Sequence, residues 1–179
     1  MTTRRLGPPP LPLPTALTSL VLEVPALDMV VQWRRCGVVA DYVAEYLALS
    51  FEQPSYAQSV LSTVTNELVE NAARFSADKA RPIRVEALHR GEVVELLVSN
   101  LAAESHILGL EALFADLARG DLTSVFRERV EARTRGGLGL LILAKDYGAV
   151  LGAMLALEQE ARTQVTMQVV LPTKELSNP

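Results

Sequence analysis

The sequence has one cysteine, Cys36, and only two histidines, His89 and His106. A single cysteine closes no disulfide within the chain, which points to a reducing cytoplasm. Two histidines argue against a histidine-built metal site. No apolar run reaches the roughly 18 residues that a bilayer-spanning helix needs. Arg4-Arg5 is followed by prolines and not by an apolar signal core, which excludes an export signal. Positive charge is also short. The 17 Lys and Arg are outnumbered by 21 Asp and Glu, giving a net charge of -4 and a pI near 5.3. Nothing here draws the chain generally to nucleic acid or to an anionic membrane.

What is present suits one compact domain: 179 residues, 49% hydrophobic and 21% charged. Residues 1–16 are proline-rich ("MTTRRLGPPPLPLP"), and the prolines favour an extended, disordered or strapped tail. Residues 17–179 form the domain. "LTSLVLEVP" reads as a strand bounded by proline. "MVVQWRRCGVVADYVAEYLALSF" reads as one helix, with Val38, Val39, Tyr42, Val43, Tyr46 and Leu47 on a broad apolar face. That face serves either the core or a homodimer interface, and Trp33, Tyr42 and Tyr46 are assigned the same two roles. The segment 56–75 is helical, with Val60, Leu61, Val64, Leu68 and Ala72 at three- and four-residue spacing. A hairpin follows, turning at Arg90-Gly91. The insert 102–135 carries one short helix stopped at Gly120 and a second capped by Asp121. "TRGGLGLLILAKDYG" is a glycine cluster opening a helix that stops at Gly148, and a second hairpin ends the chain. Short connections make the strands pair antiparallel. The predicted fold is a two-layer α/β sandwich, with a mixed, mostly antiparallel sheet covered by helices on one face.

Two stretches carry chemistry. "TNELVENAARFSAD" (65–78) places Glu67 and Asn71 four residues apart on one helical face. A carboxylate beside a carboxamide suits a hydrated magnesium ion near phosphates, or the orientation of a water or hydroxyl. The same spacing also fits a solvated helix face. Glu70 and Arg74 read as a surface ion pair. "RGGLGLL" (135–141) brings glycines whose backbone approaches a ligand closely, followed by the positive end of a helix. Arg133 and Arg135 lie just upstream, and tight helix–sheet packing explains the glycines equally well. Arg74, Lys79 and Lys145 read as solvated charges, and Cys36 as structural.

In their order, these motifs resemble the GHKL superfamily of ATP-binding domains, which includes gyrase, histidine-kinase and MutL-type members. "ELVENAARFS" looks like their N box and "GGLGLLILAKDYG" like their second glycine-rich box, over residues 56–172. It looks like the stand-alone branch of anti-sigma-factor serine kinases, and within it more like SiaB-type protein kinases. The resemblance implies the Bergerat α/β sandwich, bound ATP and magnesium, and transfer of phosphate to a serine or threonine of a small STAS-like or SiaC-like partner. It implies Glu67 as the catalytic base and Asn71 as the magnesium ligand. The cofactor-binding set would be Asn71, Asn100, Arg135, Gly136, Gly137, Leu138 and Gly139. The insert 102–135 would be the lid over ATP. The sequence departs from the family at "NLAAE" (100–104), where D-x-G-x-G is expected. Asn100 would then accept from adenine through its carboxamide oxygen, or Ser99 through water. The departure leaves a second reading: a catalytically inactive binding module that sequesters a regulatory partner.

Overall fold

A computed structural model describes residues 3–132, 137–158 and 162–177 of the chain. The first half contains β1 (Thr3–Leu6), β2 (Thr18–Pro25), α1 (Ala26–Val31), α2 (Arg34–Ala48), α3 (Pro54–Phe75), β3 (Pro82–His89) and β4 (Val93–Ala102). The second half contains α4 (Glu104–Leu117), α5 (Leu122–Glu131), α6 (Leu138–Asp146), β5 (Val150–Leu157), β6 (Thr163–Pro172) and α7 (Lys174–Ser177). The six strands form one sheet in the order β1-β5-β6-β4-β3-β2, and every pair is antiparallel. This is the two-layer α/β sandwich expected from the sequence.

Register decides which side chains meet the helices, because strand side chains alternate between faces. One row runs across all six strands: Leu22, Val85, Val98, Met167, Ala153 and Leu6 are successive partners. Most of this row is buried, and it faces the helical layer. The neighbouring row is polar. It runs Glu23, Arg84, Ser99, Thr166, Met154 and Arg5, with a Ser99–Thr166 hydroxyl contact of 2.8 Å and an Arg84–Glu23 pair at 3.2 Å. A one-residue slip would exchange these two faces.

The helical layer is centred on α3. Pro54 starts it, where a missing N–H does no harm. Its stripe of Val60, Leu61, Val64, Leu68 and Ala72 is buried, as the spacing predicts. Leu61 and Leu68 are each at most 2% exposed, so truncating either to Ala would cost about 2–5 kcal/mol.

The segment read as one helix is two. The break lies at Gln32, with φ -133° and ψ 86°, and Arg35 bridges it to Asp28 at 3.6 Å. The buried face of α2 takes Val43 and Leu47 from the broad face read in the sequence. It consists of Cys36, Ala40, Val43, Ala44, Leu47 and Ala48, while Val38 (67%), Tyr42 (52%) and Tyr46 (41%) are exposed. Alanines let α2 approach α3 closely, which leaves the two tyrosines of the same helix outside.

In the insert, Asp121 caps α5 by accepting from the Ser124 N–H at 3.1 Å, and Gly120 has a positive φ of 83°. The tail begins as β1, paired to β5. Arg5 donates to Pro8 O at 2.7 Å, and Arg90 donates to Pro14 O. Between these grips the prolines run from one sheet edge toward the other.

Candidate functional site

Asn66, Glu67, Glu70 and Asn71 of α3 separate into two pairs. Asn66 Nδ2 donates to Glu70 Oε1 at 3.0 Å, and Glu70 reaches Arg74 at 4.0 Å. Asn66 and Glu70 are half-buried, and Arg74 is exposed. A step of about 100° around the helix brings the second pair inward. Asn71 Nδ2 donates to Glu67 Oε1 at 2.5 Å and to Glu67 O at 2.8 Å. The amide nitrogen is thus engaged, which leaves Asn71 Oδ1 as its acceptor for a cation. Glu67 is partly buried, and its pKa is raised chiefly by desolvation, with Glu70 adding to the rise. The Asn71 hydrogen bond and the Arg74 charge oppose it.

The start of α6 meets this pair. Gly137 is its N-cap residue at φ +79°, a conformation glycine adopts without penalty. Gly139 packs against the Glu67 carboxylate. A Cβ built there would lie 2.0 Å from Glu67 Cδ and 2.2 and 2.3 Å from the two oxygens. The glycine required here is therefore fixed by a steric contact with the very carboxylate singled out from the sequence. The first-turn amides and the positive end of the helix dipole lie at the same place.

Two openings flank the Glu67–Asn71 pair. Glu67 and Gly139 line a groove of about 370 Å³ with Ser62, Thr63, Asn66 and Ile142. Asn71 and Gly137 line a cavity of about 170 Å³ with Phe75, His106, Leu113 and Arg129. Phe75 and His106 stack at 4.3 Å with planes 8° apart. Burial pulls the His106 pKa down to about 4, so the ring is neutral at pH 7. Asn71 and Phe75 are four residues apart on α3, so the cavity offers polar groups and a flat aromatic wall on one helical face. A larger opening of about 550 Å³ lies elsewhere, between Gly7, Phe114, Leu122 and Leu151. Among the described residues no lining side chain there is polar, and none of the expected site residues lines it.

Most of the predicted set converges: Glu67, Asn71, Gly137, Leu138 and Gly139 all lie where α3 meets α6. Asn100 does not join them. It is 4% exposed, donates to Leu101 O at 3.3 Å, and lines a separate opening with Ser99, Glu158 and Gln164. The return from α3 lies between, with Ser76 bridged to Ala102, Ala77 N–H bonded to Leu101 O, and Ala103 N–H to Phe75 O. Glu104 also lines a different opening, with Leu108, Glu111 and Thr163. Arg135 and Gly136 lie outside the described residues, as does Arg133. Lys79 donates to Ala73 O (2.6 Å) and Arg74 O (3.1 Å), which caps the end of α3, and burial lowers its pKa. Among the described residues no cluster of three or more His, Cys, Asp or Glu could hold a metal. Magnesium would therefore depend on Asn71 together with phosphates of a ligand, a sharing that this ion commonly shows.

Sequence reasoning missed Arg129, Phe75 and His106. Arg129 had a readable signal, because it falls four residues after Val125 on the buried stripe of α5. A charge at an apolar position asks for an explanation. Phe75 shares the Asn71 face. His106 had no local signal, since its partner lies across the fold.

No family model matches the chain, and no curated protein matches it. Among solved structures, a chain of the crystal structure of the SiaB-SiaC complex from Pseudomonas aeruginosa is similar in fold. The TM-score is 0.62 over 85% of this chain and 89% of that chain, at 19% identity. At that identity the likeness shows the fold. Among the described residues, no helix is long and apolar enough to cross a membrane.

Proposed function

We propose that this chain is an ATP-dependent serine/threonine protein kinase of the GHKL type, acting in a bacterial partner-switching system. Its substrate would be a small regulatory protein, STAS-like or SiaC-like. The observation that carries this reading is the meeting of Asn71, Arg129 and the α6 N-terminus in one cavity, with Glu67 held against Gly139 and bonded to Asn71. The likeness to a chain of a two-protein complex supports a small protein partner.

Bound ATP and magnesium would supply the transferable phosphoryl group and neutralise its charge. Asn71 Oδ1 would hold the metal, and the amides of Leu138 and Gly139 would hold phosphate oxygens. Glu67 would accept the proton of the partner's hydroxyl, a role for which a raised carboxyl pKa is suited. The donor set fits this chemistry. The space is narrower, because about 170 Å³ falls below the ~300 Å³ at which small-molecule pockets begin. A whole nucleotide needs α4 and α5 to move outward, as helices of a lid would.

A second reading is an inactive binding module of the same fold. The departure at "NLAAE", and the position of Asn100 in a separate opening, favour it. Titration of the full chain with Mg-ATP in a calorimeter separates the two. The kinase reading expects saturable, magnesium-dependent binding that Asn71→Ala weakens at least tenfold. Absence of binding refutes it and leaves the module. Cytoplasmic localisation is part of the same proposal. So is a homodimer formed through the exposed α2 face of Val38, Tyr42 and Tyr46.

A further inference from the structure

The proposed nucleotide accounts for one of the two openings beside the Glu67–Asn71 pair. Among the described residues, Asn71 lines the cavity while Glu67 lines the groove on its other side, with Ser62, Thr63 and Asn66 of α3 and Gly139 and Ile142 of α6. At about 370 Å³ the groove has the size of a ligand site, since such sites begin near ~300 Å³. Its hydrogen bonds share a direction. Ser62 Oγ donates to Asp41 Oδ1 at 2.6 Å, and Thr63 Oγ1 donates to Ser59 O at 2.9 Å. Asn66 Nδ2 donates to Glu70 Oε1 at 3.0 Å, and Glu67 Oε1 accepts from Asn71. Both hydroxyl protons are thereby held within the protein. What is left for a ligand is mostly acceptors: the hydroxyl lone pairs, Asn66 Oδ1 and Glu67 Oε2. The charges agree with the hydrogen bonds. Asp41 and Glu70 stand behind Ser62 and Asn66, and Glu67 adds a third carboxylate. The Arg74 cation is drawn aside, 4.0 Å from Glu70 and 5.6 Å over the Trp33 ring.

We infer that this groove receives a hydroxyl-bearing segment of a partner protein, and that Ser62, Thr63 and Asn66 select one rich in hydrogen-bond donors and without acidic residues. The inference rests on the kinase reading for the hydroxyl, but not for the preference of the groove. A serine or threonine hydroxyl donates to Glu67 Oε2, the oxygen that Asn71 does not take. Lysine, arginine or backbone N–H groups on either side donate to Asn66 Oδ1 and to the Ser62 and Thr63 oxygens, and Ile142 supplies an apolar contact. An aspartate or glutamate in the same place meets three carboxylates, the like-charge juxtaposition by which an interface excludes a wrong partner. The arrangement also keeps the two ligands apart. Asn71 and the α6 N-terminus serve the cavity side, and the segment comes from the groove side, so the two do not compete for one opening.

The test is an NMR titration of the nitrogen-15-labelled full chain, without nucleotide, by two short peptides. Each carries a central serine, flanked by lysines in one and by glutamates in the other. The lysine peptide is expected to shift the amides of Ser62, Thr63, Asn66, Glu67 and Ile142, and to bind about 5-fold or more tighter than the glutamate peptide, the effect of one or two exposed charge pairs. Thr63→Lys places a cation on this exposed position and is expected to abolish or reverse that preference, with thermal unfolding as the check on folding. Equal affinity for the two peptides, shifts confined to another surface, or no shift at millimolar peptide overturns the inference. So does a preference that the folded Thr63→Lys chain retains. Mg-ATP binding in the calorimeter is read separately. Lysine peptide seated in the groove of a chain that does not bind Mg-ATP sustains the groove and sinks the kinase reading. Mg-ATP binding with no peptide in the groove does the reverse.

Discussion

His106 offers the sharpest quantitative test of the fold around the cavity. It is 9% exposed and lies flat on Phe75 with centroids 4.3 Å apart. Burial lowers its pKa from the ordinary 6.5 to about 4. Above pH 6.5 both folded and unfolded chains hold the ring neutral, and His106 makes no pH-dependent difference. As pH falls below 6.5, the unfolded chain gains a proton that the folded chain refuses. Stability then drops by about 1.4 kcal/mol per pH unit until the folded ring also protonates near 4. Over the whole window the loss is about 3 kcal/mol, a large part of the roughly 5–15 kcal/mol that holds a domain together. His106→Phe keeps an aromatic ring on Phe75 and removes the proton. Urea unfolding between pH 7 and pH 4 should show the wild type losing about 3 kcal/mol more than the variant across that range. The ring's own titration, followed by NMR, should lie near 4. Equal pH dependence in the two proteins, or a measured ring pKa at or above 6.5, would refute the reasoning.

Gly139→Ala drives a methyl into the Glu67 carboxylate, 2.0 Å from Cδ. The expected cost is about 1–3 kcal/mol, as for overpacking, read by chemical unfolding. In a Glu67→Ala background the same change should turn neutral, or stabilise by up to about 1 kcal/mol from helix propensity. An unchanged cost there would mean that the carboxylate is not what Gly139 accommodates. Gly152→Ala places a Cβ 2.5 Å from Arg5 Nη2, which otherwise crosses the strand to bond Gln168 Oε1 at 2.7 Å. Hydrogen exchange at Thr3–Leu6 should accelerate while global stability shifts by less than about 1 kcal/mol. Unaltered exchange would count against the Arg5 anchor.

Much of the fold was legible because its signals are local. The α3 stripe follows from three- and four-residue spacing, and the Asp121 cap from one side chain reaching its own helix. The hairpins follow from short turns between alternating strands. The Glu67–Asn71 pair belongs to the same class, since residues four apart on a helix must be neighbours. The sequence left the broad face of α2 open between core and subunit contact, because spacing alone does not say which side meets a neighbour. There the alanines fit, and Tyr42 and Tyr46 were left outside. Asn100 lay at the expected position on β4, yet its side chain was closed off by the chain leaving α3. Only the folded path of that return reveals the separation.

The sequence by itself determined most of the elements and their order, the antiparallel hairpins and the spacing that sets Glu67 beside Asn71 on α3. Each depends on contacts within a few residues, where the period of the backbone fixes who meets whom. Tertiary structure alone decided that Gly139 rests on Glu67, that His106 lies on Phe75, and that Arg129 enters the cavity beside Asn71 and Gly137. Those groups are joined by α4 and α6 meeting α3 and by α5 packing on α4 and α6, and docking is a property of surfaces in three dimensions that no local spacing encodes.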